Sequence, residues 1–263
     1  MQHLATSSQL VFYPDSDGKP MADNTLQFRW IVTLVGGLQR LFADDANVFV
    51  AGDLLWYPIE GDNKTRIAPD ALVAFGRPKG ERGSYRQWEE GDIAPQVVFE
   101  VLSPGNTRNE MQAKKAFYET HGVEEYYLYD PDRGQLQGWR READKLWPIA
   151  EMRGWISPRL RIRFDLEGLD LRVTGPDGRH FESFLAVSLA RIAAEQQAEA
   201  EAEARRSAEH QAEAAEHRAE AEAEARRSAE RCAEAETQAR KVLEAELERL
   251  RAFLSQNIGP DTG

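Results

Sequence analysis

Cysteine and long apolar runs are nearly missing from this chain of 263 residues. The single cysteine, Cys232, excludes an internal disulfide, and no Cys or His stands near it at the spacing of a zinc site. No apolar run approaches the length of about 18 residues that a membrane-spanning helix requires. The first residues also lack a basic segment followed by an apolar one. We therefore expect a cytoplasmic protein.

A basic excess is also lacking. The net charge is −12, from 33 basic and 45 acidic residues. Divided at residue 184, the chain has 22 basic and 28 acidic residues in its first part and 11 and 17 in its second. Proteins that bind nucleic acid mainly by neutralising phosphates usually carry a basic excess, so neither part is of that kind. A nucleic-acid function therefore requires a local basic groove or a divalent metal that neutralises phosphate charge.

Nearly all the Trp, Phe, Tyr, Val and Ile residues lie before residue 193, and the composition changes near residue 181. We therefore predict a globular domain over residues 1–180 and a helical tail rich in Ala, Glu and Arg over residues 181–263. In the tail, EAEARRSAE at 201–209 recurs at 222–230, a shift of 21 residues or three heptads. This period favours one continuous helix.

The end of the tail carries leucines four and three residues apart, at Leu243, Leu247, Leu250 and Leu254. This spacing is typical of a coiled-coil seam, and it predicts a homodimer or another homo-oligomer. Extending the same frame towards the N-terminus places Arg226 and Arg240 in the seam. A solvated single helix held by Glu–Arg pairs four residues apart is therefore the alternative.

The order of elements before the tail predicts an α/β domain with a mixed sheet flanked by helices. A helix is expected over 22–42, with Asp23 or Asn24 as its N-cap, and a second over 108–121, closed by Gly122. The segments VFVAG, LLWYPIEG, IAPDALVAFG and APQVVFEVLSPG read as strands, and VVFEVL is apolar on both faces, as in a central strand. Hairpin signals follow at EEYYLYDPDRGQLQGWR and LRVTGPDGRHF.

Glu100 is the most informative residue, because it lies within VVFEVL between large apolar neighbours. A carboxylate buried in such a strand costs free energy unless a cation or strong donors meet it. Asp70 precedes ALVAFG, which could be a neighbouring strand. Two carboxylates at adjacent strand ends offer oxygen ligands suited to Mg²⁺ or Mn²⁺. The alternative is that Glu100 pairs with an arginine and Asp70 caps a turn.

The predicted helix after Glu100 places Glu110, Lys114 and Tyr118 on one face, at steps of four residues. A lysine near two metal-binding carboxylates would stay charged and could stabilise the charge that develops on a phosphate. A lysine on a helix is more often a solvated surface group, so the residues alone leave both interpretations open.

Taken together, these motifs resemble the Uma-type family of restriction endonucleases, within the PD-(D/E)XK nuclease superfamily. The resemblance covers about residues 20–175 and leaves out the tail. It is carried by Pro69 and Asp70, Pro95 to Pro104 with EVLSP, Lys114, Tyr118, Gly122, Val123, Glu125, Tyr126, Asp130 and Pro131.

This resemblance implies a Mg²⁺- or Mn²⁺-dependent endonuclease that hydrolyses DNA. Asp70 and Glu100 match the family's metal-binding carboxylates. The superfamily's lysine stands two residues after the second carboxylate, where this chain has Leu102. Lys114, on the helix, looks like its substitute and completes the expected catalytic set with Asp70 and Glu100.

The sequence also departs from the family's pattern. Gln27 stands where many members carry an acidic residue, Glu110 replaces a more usual aspartate, and Tyr127 replaces a common tryptophan. Gln27 and Glu110 are therefore candidate residues lining the site. Because Gln27 brings no charge, a second hypothesis is a nuclease-fold scaffold or binding protein with weak or no activity, which acts through its tail.

Overall fold

The computed structural model describes residues 11–18 and 20–257. Residues 1–10 and 19 of the predicted first domain, and residues 258–263 of the predicted tail, lie outside the described residues. The boundary at 180 and 181 stays a prediction.

The described residues form three α-helices and eleven strands. The helices are α1 (Thr25–Leu41), α2 (Arg108–Thr120) and α3 (Phe184–Asn257). The strands are β1 (Val48–Ala51), β2 (Trp56–Tyr57), β3 (Ala71–Phe75), β4 (Tyr85–Arg86), β5 (Val97–Val101), β6 (Glu125–Asp130), β7 (Gln135–Glu142), β8 (Lys145–Pro148), β9 (Trp155–Ile156), β10 (Arg163–Glu167) and β11 (Asp170–Thr174).

The main sheet has six strands in the order β1-β3-β5-β6-β7-β8. Strands β5 and β6 pair in parallel, and every other neighbouring pair of this sheet is antiparallel. The helix α2 connects the two parallel strands, as a parallel crossover requires. The predicted mixed sheet with flanking helices and a long C-terminal helix is therefore confirmed. Of the predicted strand LLWYPIEG, only the part that forms β2 is extended in the structure. It pairs with β4 outside the main sheet.

The main sheet is covered on both faces, and its central strand β5 is buried along its whole length. Val97, Phe99 and Val101 pack in the cluster that includes α1, whereas Val98 packs in the cluster that includes α2. Each large apolar side chain buried in this way contributes about 1.5–3 kcal/mol. Because side chains alternate along a strand, Glu100 faces the side of α2.

The first helix is positioned by its cap and by a close approach. The Asn24 side chain accepts a hydrogen bond of 2.8 Å from the backbone N–H of Gln27. Of the glycine pair within the helix, Gly37 has a packing role, since a Cβ built there would lie 2.2 Å from the Phe181 ring. The glycine therefore lets the chain after the second sheet, β11-β10-β9, lie against α1.

The chain divides into two units, one ending at Ala190 and one beginning at Arg191. The division falls within α3, a helix of 74 residues. No helix among residues 11–18 and 20–257 is long and apolar enough to cross a membrane.

Candidate active site

The register of two strands brings Asp70 and Glu100 side by side. Ala71 of β3 lies opposite Phe99 of β5 in an antiparallel ladder, so Asp70 and Glu100 are the next facing pair. Facing residues in such a ladder project to the same side of the sheet. Both side chains are buried, with 8% of Asp70 and 2% of Glu100 exposed.

The α2 helix brings the third candidate residue to these carboxylates. Thr107 caps the helix by accepting a hydrogen bond from the backbone N–H of Glu110 at 3.2 Å. One turn further, Lys114 Nζ lies 2.7 Å from Glu100 Oε2, and on the following turn the Tyr118 hydroxyl donates to Glu100 Oε1. The partner of the buried carboxylate is thus a lysine rather than an arginine.

The two carboxylates repel each other, and burial adds to this effect. Burial raises the pKa of Asp70 well above its usual value, and the Glu100 charge raises it further. Burial also raises the pKa of Glu100, although the Lys114 ammonium opposes this. Burial lowers the pKa of Lys114, but Glu100 and Asp70 outweigh it and leave that pKa raised, so this lysine is charged at neutral pH. The pair of carboxylates therefore favours a nearby cation.

Gln27 lines the same region, and both ends of its side-chain amide make a hydrogen bond. Its Nε2 donates to the Val101 carbonyl at 2.8 Å, and its Oε1 accepts from the backbone N–H of Asp23 at 2.8 Å. One lone pair of the Gln27 oxygen is thus occupied within the fold. Gln27 connects α1 to the end of β5.

An open cleft of about 530 Å³ gathers these groups. Asp70, Lys114, Gln27 and Glu110 all line it, so the structure brings the predicted site residues together at one cleft. Glu100 is not among the lining residues but contacts Lys114, which is.

Asp53 also lines the cleft, although no sequence pattern marks it as a site residue. Its φ angle is 49°, a left-handed conformation that is uncommon outside glycine. Burial raises the pKa of its carboxyl, and the Asp17 charge does so as well. Such strained residues cluster at functional sites. The letters AGDLL contain no sign of this conformation, so only the structure identifies it.

The charges around the cleft are mostly negative. Its lining includes the carboxylates Asp17, Asp23, Asp53, Asp70 and Glu110, against the cations Arg66 and Lys114. A phosphodiester would meet net repulsion here unless a divalent cation entered with it. The lining therefore suits a metal and its anionic substrate together.

The donor set fits a hard divalent cation that keeps several waters. Asp70 Oδ2 accepts a hydrogen bond from the Val101 backbone N–H at 2.6 Å, whereas no described residue donates to its Oδ1. Glu100 supplies the second carboxylate. Among residues 11–18 and 20–257, no group of three or more His, Cys, Asp or Glu side chains is placed to hold a metal. The donors here are thus Asp70 at the cleft and Glu100 next to it, whose two oxygens also accept hydrogen bonds from Lys114 and Tyr118, with waters for the remaining positions.

Comparison with known proteins places these residues within a described family. The model of the Uma2 family, described as "Putative restriction endonuclease", matches residues 18–172, which is more than half of the chain. Among solved structures, the chain is similar to a "putative nuclease belonging to DUF820" from Anabaena variabilis. That similarity has 18% sequence identity and a TM-score of 0.40, and it covers 53% of this chain and 74% of that one. No curated protein matches the chain.

Proposed function

Since this chain belongs to the Uma2 restriction-endonuclease family, we propose that its first unit is a metal-dependent endonuclease that hydrolyses DNA phosphodiester bonds. The observation that carries the proposal is the Glu100–Lys114 pair beside Asp70 in an acidic cleft. Structural ion pairs also bury carboxylates, but here a second buried carboxylate with a raised pKa, Asp70, lines an open cleft, as in functional sites.

In this proposal Asp70 and Glu100 hold Mg²⁺ or Mn²⁺. When bound, the cation would supply neutralisation of the phosphate charge and activation of the attacking water. Lys114 keeps its charge beside Glu100 and stabilises the negative charge that grows on the phosphate oxygens. Tyr118 fixes the other oxygen of Glu100, and Asp53 and Glu110 add to the negative potential that attracts the cation.

Supercoiled plasmid tests this function directly. We expect the full chain to nick or linearise plasmid in Mg²⁺ or Mn²⁺ and to lose this activity in EDTA. A Glu100→Gln variant prepared in the same way controls for contaminating nuclease and should be inactive. Absence of cleavage by the folded wild type in both metals would contradict the proposal and favour the scaffold hypothesis.

We further propose that α3 joins copies of the chain as a coiled coil. Leu243, Leu247, Leu250 and Leu254 are each more than half exposed on the isolated helix. Towards the N-terminus of this frame, Arg226 and Arg240 pair with glutamates four residues on. Exposed pairs of this kind add only about 0.3–0.5 kcal/mol each, so burial of the leucine seam is the larger gain. Two joined copies would present two active sites to two DNA strands.

A charge placed in the seam should separate the copies. Leu247→Lys is expected to convert the wild-type oligomer to a monomer at micromolar concentration, because a lysine there would be buried without a partner. Light scattering during size-exclusion chromatography measures the mass. Glu248→Lys, one residue further round the helix, is the matched control and should leave the oligomer intact. A monomeric wild type, or an oligomeric Leu247→Lys, would contradict this assignment.

A further inference from the structure

A second cavity, of about 610 Å³, adjoins the cleft. Arg108 and Lys115 of α2 line it, together with Tyr126 of β6 and Trp139 of β7. Its α2 residues come from a different helix face than those of the cleft. Asn106, in the loop before α2, lines both cavities. The metal-binding carboxylates proposed above do not line this cavity, so it requires its own explanation.

The floor of this cavity contains a buried polar group without a partner. The Tyr126 side chain is fully buried, and its hydroxyl makes no hydrogen bond within the described part of the chain. Folded proteins pair nearly all buried polar groups, so this unpaired hydroxyl lacks a partner that a bound molecule could supply. Burial raises the pKa of Tyr126, so its hydroxyl stays protonated and can donate a hydrogen bond to a ligand.

The charge of the cavity lining is opposite to that of the whole chain. Arg108, Lys115 and Arg133 contribute three cations, against one carboxylate, Asp130, which lies 3.6 Å from Arg133. The cavity also meets the N-terminal end of α2, which carries partial positive charge. In a protein with a net charge of −12, this local excess favours an anionic group such as a phosphate.

The rest of the lining suits a flat, polar ring. The Trp139 ring stacks on Tyr126, with centroids 4.9 Å apart and an interplanar angle of 17°. The side-chain amides of Gln112, Gln135 and Gln137 also line the cavity, and each can both donate and accept hydrogen bonds. Aromatic side chains with adaptable amides recognise unstacked nucleobases in this way.

We propose that this cavity binds a nucleotide, with its base against Trp139 and its phosphate near Arg108 and Lys115. Its volume lies within the range of about 300–1,000 Å³ that is usual for small-molecule sites. The shared chemistry is a nucleobase linked to a phosphate, which a free nucleotide or an unpaired nucleotide of a DNA strand would supply. The binding needs no metal and no cleavage, so it can be tested independently of the proposed hydrolysis.

Calorimetric titration of the full chain in EDTA tests this binding. The probes are dAMP, inorganic phosphate, and a single-stranded oligonucleotide with and without abasic sites. We expect dAMP to bind at least about tenfold more tightly than phosphate, or the intact strand to bind at least about tenfold more tightly than the abasic one. Trp139→Ala should weaken the preferred probe by about tenfold, and Tyr126→Phe by about threefold or more.

Two controls separate a ligand role from a structural one. Trp147→Ala removes a half-exposed tryptophan on β8, outside this cavity, and should leave affinity unchanged. Tyr126→Phe should keep or raise the melting temperature without ligand, because it removes an unpaired buried hydroxyl. The proposal is overturned if neither base-containing probe is preferred, or if Trp139→Ala and Tyr126→Phe leave the preferred probe's affinity unchanged.

Discussion

Replacing Asp70 with asparagine is expected to reduce metal-dependent DNA cleavage by more than about a hundredfold, because removing even an outer partner of a metal site costs up to that much. The asparagine oxygen can still accept the hydrogen bond from the Val101 N–H that Asp70 accepts at 2.6 Å. The negative charge that would bind the cation is lost. Activity should therefore fall without a loss of structure.

The stability of this variant should separate a functional carboxylate from a structural one. Burial raises the pKa of Asp70, and the neighbouring Glu100 charge raises it further, so the ionised side chain destabilises the metal-free fold. We expect Asp70→Asn to melt at the same temperature as the wild type or higher in EDTA. The wild type should gain stability when Mg²⁺ or Mn²⁺ is added, and the variant should lose most of that gain.

Plasmid cleavage rates and thermal melts with and without metal measure both effects. Asp132→Asn, on the exposed turn after β6, makes the same chemical change away from the cleft and should leave both unchanged. If Asp70→Asn cleaves plasmid at the wild-type rate, Asp70 takes no part in the mechanism. A loss of activity together with a large drop in melting temperature would assign it a structural role instead.

The sequence could predict the candidate site as far as local patterns determine it. The run VVFEVL indicates a central strand, and the alternation of side chains along it places Glu100 on one face. The step of four residues between Lys114 and Tyr118 places both on one face of a helix. The short connection between β5 and α2 then brings that face over Glu100.

The remaining features depend on contacts between distant parts of the chain. The hydrogen bond from Gln27 to the Val101 carbonyl joins residues 74 positions apart. The left-handed backbone of Asp53 depends on the turn between β1 and β2, where its N–H donates to the Pro69 carbonyl. Neither feature has a signal in local composition or periodicity, so only the folded chain identifies it.

A second buried carboxylate, Glu125, also has a role that local sequence patterns do not reveal. Glu125 is 1% exposed, and it accepts hydrogen bonds from Tyr127, Ser157 and the backbone N–H of Arg159. Two of these donors stand more than 30 residues further along the chain. Glu125 is thus satisfied by donors from the fold itself, whereas Glu100 is satisfied by a lysine at the cleft. A buried carboxylate becomes a candidate site residue only when its surroundings are known.

The ion pair that holds Glu100 should also dominate the stability of this region. Lys114→Met is expected to lower the free energy of unfolding by about 3–5 kcal/mol at neutral pH, because it leaves a buried carboxylate without its cation. Removing Lys114 raises the pKa of Glu100 further above its unfolded value. A carboxyl group of this kind contributes stability at low pH that is lost as the pH rises through its folded pKa. The deficit should therefore shrink as the pH falls towards that raised pKa.

Chemical denaturation of a double-mutant cycle tests this pair. The double variant Lys114→Met with Glu100→Gln should recover most of the lost stability, because the glutamine carries no charge that needs a cation. Lys115→Met is the matched control: its partner Glu119 lies 4.0 Å away and both side chains are about a third exposed, so its cost should stay below about 1 kcal/mol. Two results would show that Glu100 does not depend on the Lys114 charge. One is that Lys114→Met lowers the free energy of unfolding as little as Lys115→Met does. The other is that the double variant is no more stable than Lys114→Met alone. The lysine would then act on the substrate alone, and its loss would lower the cleavage rate without changing the free energy of unfolding.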